Sequence, residues 1–242
     1  MLPFPPPLEA FLLGLEDFEE IQRLQRRLMY EQAERGGASL ILCEHPPTIS
    51  VGRAGSRVHI LADDEELRAW GIGVHWVNRG GGCVLHLPGQ LAAYLALPLE
   101  PPGRSVAQYV DGLHEAIIGV LAEFDLRGER RTDLPGVFLG TARVATVGVA
   151  VNRWVAYHGF TLNVGPYLSP FHLIAEPGPG GLPLHQTSME SRRQRPAPMH
   201  RVREAVIRRV ESVFGLERHH VYTGHPQVRR KERAFVYAQS LG

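Results

Sequence analysis

The segment "ARVATVGVAVNRWVAYHGFTLNV", residues 142 to 164, constrains the fold more than any other stretch of the chain. Valine, threonine and aromatic residues recur through it, and side chains branched at Cβ pack best on a pleated surface. A polar break near Asn152 and Arg153 divides it, so two long strands joined there are expected. Such a pair needs a sheet around it. The clearest helical stripe precedes it: Val106, Tyr109, Val110, Leu113, Ile117, Val120, Leu121 and Phe124 return every three or four residues. A second helix is expected from about Glu16 to Ala33, through Phe18, Ile21, Leu24, Leu28 and Met29, with Gly36 just after it. A third runs from about Arg201 to Phe214, through Val202, Val206, Ile207, Val210 and Val213.

Shorter elements lie between these. "ASLILCE" has the length and apolarity of a strand, ended by "HPP". A short polar helix near Asp63 to Trp70, a strand at about Gly73 to Val77 and the apolar "LAAYLALPL" follow. Residues 165 to 198 are rich in Pro and Gly and read as a long loop, which in a compact domain is often functional. Strands and helices interleave without a regular βαβ repeat, so the expected class is α+β: a mixed β-sheet with surrounding helices.

The chain's 242 residues suffice for one large domain or two small ones. One domain over residues 10–215 is expected, with a Pro-rich leader (1–9) and a basic tail (216–242), the latter solvated rather than an interaction arm. With 44% apolar and 21% charged residues the composition is that of a soluble globular protein. A net charge of +1 supplies no field to draw in nucleic acid or an anionic membrane, and neither is an expected partner. No apolar run approaches the roughly 20 residues that span a bilayer. The N-terminal "MLPFPPPLEAFLL" lacks a positive leading region and a small-residue cleavage site, so it does not read as a signal peptide. Two cysteines, Cys43 and Cys83, cannot form a disulfide framework, and a cytoplasmic setting is expected. Neither a metal nor a cofactor is expected. Lys231 is the only lysine.

"RGGGCVLHLPGQ", residues 79 to 90, holds the densest chemistry. Three successive glycines let another chain approach the backbone closely and leave N–H groups to bond a carbonyl; a bulge or tight turn leading into a strand fits equally. The run is neither GxGxxG nor a Walker A loop. If residues 83 to 87 form a strand, Cys83, Leu85 and Leu87 share one face and Val84 and His86 the other. Cys83 and His86 then cannot form a thiol–imidazole pair unless a bulge reverses one of them, and Cys83 reads as a small buried apolar residue. Cys43, in "LILCE", reads as core.

Five blocks occur in order: "ILCEHPPTISVGR", "NRGGGCVLHLPGQLAAYLALPL", "LPGVFLG", "VATVGVAVNRWVAYHGFTLNV" and "LSPF". Together they resemble the lipoyl (octanoyl) transferases, which move octanoate from acyl carrier protein to a lysine on lipoyl domains. The resemblance covers about residues 10 to 215. It implies the mixed-sheet fold shared with lipoate and biotin protein ligases. It also implies octanoyl-acyl carrier protein as donor, lipoyl domains of 2-oxoacid dehydrogenases or the glycine cleavage H protein as acceptors, and action as a monomer. The acyl pocket implied by the resemblance is lined by Arg79, Gly80, Gly81, Gly82, Cys83, Val84, Leu85 and His86. Thr146, Val147 and Gly148 join it from the first strand of the later pair, and His158, Gly159, Phe160 and Thr161 from the second. Taken alone, His158 reads as a core histidine; its place in "YHGFTLNV" assigns it to the pocket.

The departures from the family pattern are specific. In the family a cysteine attacks the acyl thioester and a lysine lowers its pKa, as a nearby cation does. Arg143 stands in the lysine's place and Pro177 in the cysteine's. Arginine keeps the charge but is no base near neutral pH, and proline has no nucleophile. Val84 replaces the usual threonine and Leu87 the usual glycine, which implies a pocket more apolar and narrower at its mouth. Conventional transfer is therefore expected to be impaired, leaving a protein that binds an octanoyl chain and its carriers. One alternative is direct aminolysis by the acceptor lysine with His158 or Glu176 as base, although Glu176 reads as a solvated loop residue. Another is a lipoate-protein ligase-like enzyme, disfavoured because such ligases also place a lysine near Arg143.

Overall fold

The computed structural model describes residues 7–100, 103–132, 134–175, 184–216 and 219–228. Strand β1 (Leu8–Leu15) leads into helix α1 (Phe18–Arg35), which starts where Asp17 accepts from the Glu20 N–H and stops at Gly36, left-handed at φ 75°. Strands β2 (Ala38–Glu44) and β3 (Thr48–Val51) flank the His45–Pro47 break. Helix α2 (Asp64–Ala69), β4 (Gly73–Trp76), β5 (Cys83–His86) and β6 (Gln90–Pro98) follow. Helix α3 (Val106–Glu123) is capped by Ser105 and Gln108 in a reciprocal box. Then come β7 (Glu129–Arg130), β8 (Val137–Leu139) and the long pair β9 (Ala142–Asn152) and β10 (Val155–Asn163). Helices α4 (Met189–Arg193) and α5 (Met199–Phe214) and strand β11 (His219–Thr223) complete the described chain.

Eight strands form one mixed sheet in the order β11-β1-β2-β6-β10-β9-β8-β7, and β4-β3-β5 form a second, smaller one. The sheet takes in Leu8 and Glu9 at one end and His219–Thr223 at the other, beyond both limits expected for the domain. Neither strand carries a strong alternating pattern; they lie parallel to each other at the sheet edge. The turn of the β9–β10 pair falls at Arg153 and Trp154, one residue later than expected. Both have positive φ (48° and 58°), the twist a two-residue hairpin demands, and the Trp154 carbonyl is held by the Leu99 N–H at 2.7 Å.

Alternation along the central strands fixes the layers. Leu40, Leu42, Leu91, Ala93 and Leu95 face α3 and α5 in the main core. Their neighbours Ile41, Cys43, Ala92 and Tyr94 face the apolar stripe of α1. The small sheet has its own core of Ile49, Val51, Cys83, Leu85 and Leu87 with Leu67 and Leu173. Its opposite face looks toward the α1 side of the large sheet, and the gap between them is the site.

Candidate functional site

The floor of the gap is built by cross-strand pairing. Thr146 on β9 lies opposite Thr161 on β10, and Gly148 opposite Gly159. Gly159 also pairs with Tyr94 on β6, and a Cβ there would sit 2.2 Å from the Ala93 carbonyl oxygen. Only glycine lets the two strands come together at that point. The roof comes from Ser50 on β3 with Val84 and His86 on β5, and Phe18 and Gln22 of α1 close one end with Val77.

Of the residues implied by the resemblance, Arg79, Val84, His86, Thr146, Gly148, His158, Gly159, Phe160 and Thr161 line this narrow cavity. Six do not. Gly80, Gly81 and Gly82 pack main chain on main chain: the Gly80 N–H donates to Val149 (2.8 Å), and the carbonyls of Arg79, Gly81 and Gly82 accept from Arg53, Ala54 and Gly52. What lies against the glycines is the protein's own backbone, at Gly52 and Gly148, where an added Cβ would meet the Gly81 and Gly80 oxygens at 2.4 and 3.0 Å. Cys83 and Leu85 face the small core, as strand alternation requires, and Val147 packs against the main core. Leu87 also turns into the small core, so the narrowing of the mouth expected from it is not present. Glu176 and Pro177 lie outside the described residues.

The thiols are poor nucleophile candidates. Burial pushes both Cys43 and Cys83 above the ordinary thiol value, and the Cys83 thiol makes a long hydrogen bond to the Ser56 carbonyl at 3.8 Å. Arg143 is buried, its backbone paired with His185 and Thr187, and burial with the charge of Arg79 lowers it to about 10, still protonated near neutrality. Arg79, also buried and lowered to about 10 by desolvation, donates to the Gly80 carbonyl (2.9 Å) and to the Ser50 carbonyl and hydroxyl (both 2.8 Å). Two permanent cations therefore sit inside the fold near the cavity.

Burial disfavours the charged form of the three histidines at the site, His45, His86 and His158. His158 occupies left-handed space (φ 64°) within β10, rare for a residue with a side chain and typical of functional sites. Its N–H, unpaired with β6, donates to Gln25 Oε1 at 2.6 Å, and its Nε2 meets Asn78 Oδ1 at 3.1 Å. Burial, then Arg79 and Arg26, push His158 down to about 3. His45 bonds the Glu16 carbonyl through Nδ1 and the Tyr94 hydroxyl through Nε2 (2.9 and 2.8 Å); burial takes it to about 4. His86, packed against Phe18 and His45, bonds Ser50 Oγ at 2.8 Å and is held well below its ordinary value by burial.

Ser50, Phe18, Gln22, Val77 and Tyr94 were not anticipated as lining residues, nor Gln25 as the anchor of His158. Their signals were faint: a serine beside the "HPP" break, a lone hydroxyl-bearing aromatic in "LAAYLALPL", and glutamines placed toward the buried side of α1. The cavity shares Phe18, Gln22, Val77 and His158 with a wider polar groove between α1 and β4. Among the described residues no helix is long and apolar enough to cross a membrane, and no three ligating side chains cluster as a metal site would need.

A narrow cavity between two sheets, apolar along its walls with a few fixed polar groups, sits in a mixed α+β fold of the lipoate protein ligase type. Residues 17–211 match the lipoyl protein ligase A/B catalytic domain, and the chain belongs to that family. It is 41% identical over 215 residues to an octanoyltransferase of Chloroflexus aurantiacus, covering 87% of this chain and 95% of the relative. An octanoyltransferase of Syntrophobacter fumaroxidans is 40% identical over 183 residues, 74% of this chain and 80% of the relative. Among solved structures, lipoate-protein ligase A bound with ATP superposes with a TM-score of 0.63 at 14% identity, covering 93% of this chain and 91% of that one. A bi-partite lipoate protein ligase of Thermoplasma acidophilum, solved in a study with its E2 lipoyl domain, gives 0.66 at 16% identity, covering 91% and 88%. These likenesses establish the fold.

Proposed function

We propose that this protein binds an octanoyl chain delivered by acyl carrier protein and serves protein lipoylation as a cytoplasmic monomer, without the family's cysteine–lysine route. The observation that carries the reading is the cavity itself, with apolar walls and no cysteine among its described lining; Arg143, outside that lining, stands at the sequence position of the family's lysine. Pro177 holds the sequence position of the nucleophile. Lipoyl domains of 2-oxoacid dehydrogenases or the glycine cleavage H protein are the acceptors this reading names.

A second reading, transfer by another route, is favoured by the hydroxyl–imidazole contact of Ser50 and His86 inside the cavity. Direct aminolysis with His158 as base has less support, since its Nε2 is already engaged by Asn78 Oδ1 at 3.1 Å, an amide whose Nδ2 is fixed on the Tyr157 hydroxyl. The test is incubation of the purified protein with octanoyl-acyl carrier protein, with and without a lipoyl domain, followed by intact mass spectrometry. Retained octanoate without transfer supports a binding protein; octanoylated lipoyl domain supports the second reading. Failure to bind or move octanoate in either arm removes both.

A further inference from the structure

We propose that Ser50 is an acyl-accepting nucleophile, with His86 as its base and Arg79 as the cation that stabilises charge on its oxygen. The inference rests on the reading that the cavity takes an acyl thioester. Three observations on separate elements converge. Ser50 Oγ lies 2.8 Å from His86 Nε2, and both residues line the cavity. Arg79 Nη2 lies 2.8 Å from the same oxygen and donates to it, so the hydroxyl proton is directed to His86 Nε2. The imidazole packs against Phe18, tilted, and His45, edge-on, with ring centroids 5.1 and 5.5 Å away.

A nucleophile, a base in hydrogen-bond contact and a group that orients the base are the parts that hydroxyl catalysis needs. Gln90 is a polar neighbour of the imidazole. Its Nε2 is committed to the Leu85 carbonyl and Asn163 Oδ1 at 3.2 and 2.8 Å, and its interaction with His86 favours the charged imidazole. Among the described residues no group hydrogen-bonds His86 Nδ1, and the ring is positioned by packing against Phe18 and His45. Burial keeps His86 neutral, which leaves Nε2 open to the hydroxyl proton but lowers its basicity, so the assignment stands on the Ser50–His86–Arg79 geometry. No carboxylate pairs with Arg79 among the described residues, so its charge is not cancelled where negative charge develops.

The chemistry balances without a further reagent. Ser50 Oγ bonds the thioester carbon as its proton passes to His86 Nε2; the carbon–sulfur bond breaks and His86 returns the proton to the departing thiolate. In the second half an amine nitrogen bonds the ester carbon, the carbon–Oγ bond breaks, and the amine proton returns through His86 to Ser50. An acyl thioester and an amine become an amide and a thiol.

The experiment is a single turnover of the full chain with octanoyl-acyl carrier protein, acid-quenched, with intact mass and peptide mapping. One octanoyl group is expected on the peptide containing Ser50, stable to neutral hydroxylamine as an oxygen ester. Ser50→Ala should lose the adduct while its melting profile shows it folded. Ser50→Cys should regain an adduct that neutral hydroxylamine now removes, a change of chemistry that a structural role would not produce. His86→Gln should slow acylation about a hundredfold or more. An adduct on another residue, or wild-type transfer by folded Ser50→Ala, would overturn the assignment and leave the family reading intact. Octanoate retained with no covalent adduct overturns it as well, in favour of a binding protein; no binding at all removes the underlying reading too.

Discussion

Lowering the pH from 7.5 to 5.0 should remove a large part of the stability of this fold, because its site is built on histidines buried without charge. His45 is held at about 4 and His158 at about 3, both by burial first, against about 6.5 in the unfolded chain. Above 6.5 both states are neutral at these positions and the fold keeps its full stability. As the pH falls below 6.5 the unfolded chain takes up protons that the folded one refuses, so stability falls until the folded values are reached. At pH 5.0 each histidine is 1.5 units below 6.5, and at about 1.36 kcal/mol per unit that is about 2 kcal/mol each, about 4 together. His86, depressed for the same reason, adds to the loss. Domains are commonly stable by about 5–15 kcal/mol, so the change is a substantial fraction of the whole. The assay is guanidinium unfolding at pH 7.5, 6.0 and 5.0. His158→Gln, whatever its own stability, should flatten the dependence by about 2 kcal/mol over that range. Equal unfolding free energies at 7.5 and 5.0, or an undiminished slope in the variant, would refute the claim that these rings are buried neutral.

Three further outcomes are expected. Gly159→Ala should cost about 3 kcal/mol or more in chemical denaturation, because its Cβ would lie 2.2 Å from the Ala93 oxygen; Gly82→Ala, with nothing within 4 Å, should stay within about 0.5 kcal/mol of the parent. A thiol reagent should find no fast-reacting cysteine in the native protein and both after unfolding, since burial raises Cys43 and Cys83 alike; a rapid native equivalent would contradict that placement. Thr146→Phe should fill the cavity from its floor and weaken octanoate binding about tenfold or more, read as a lost ligand-induced rise in Tm while the unliganded Tm holds.

The elements with strong period were legible. The stripes of α1, α3 and α5, and the branched residues of β9 and β10, each declared their geometry, and α1 ended at Gly36 as its sequence implied. Strands β1 and β11 were not legible: β11 is the edge strand and β1 lies between it and β2, so their placement depends on parallel pairing rather than on local pattern. At the site, alternation placed Cys83 and His86 on opposite faces of β5, and the structure agrees. The glycines misled for a physical reason: absence of Cβ signals close approach but not what approaches, and here it is Gly52 and Gly148. Ser50 and Gln25 were missed because their importance is a contact over 36 and 133 residues of sequence, which no local spacing reveals.

The cavity is the seam between two separately cored sheets, and that makes its occupant a structural part. Ser50, Val84 and His86 belong to the small sheet, Thr146, Gly148 and Thr161 to the large one, and the apolar centres of the two units are distinct. A hydrocarbon chain in the seam acts as mortar, replacing water-facing wall on both sides with contact and resisting their separation. Loading should therefore slow amide exchange in β3 and β5 more than in β2, none of whose residues lines the seam. On the proposed function, an acyl chain in the seam would tie the small sheet to the large one.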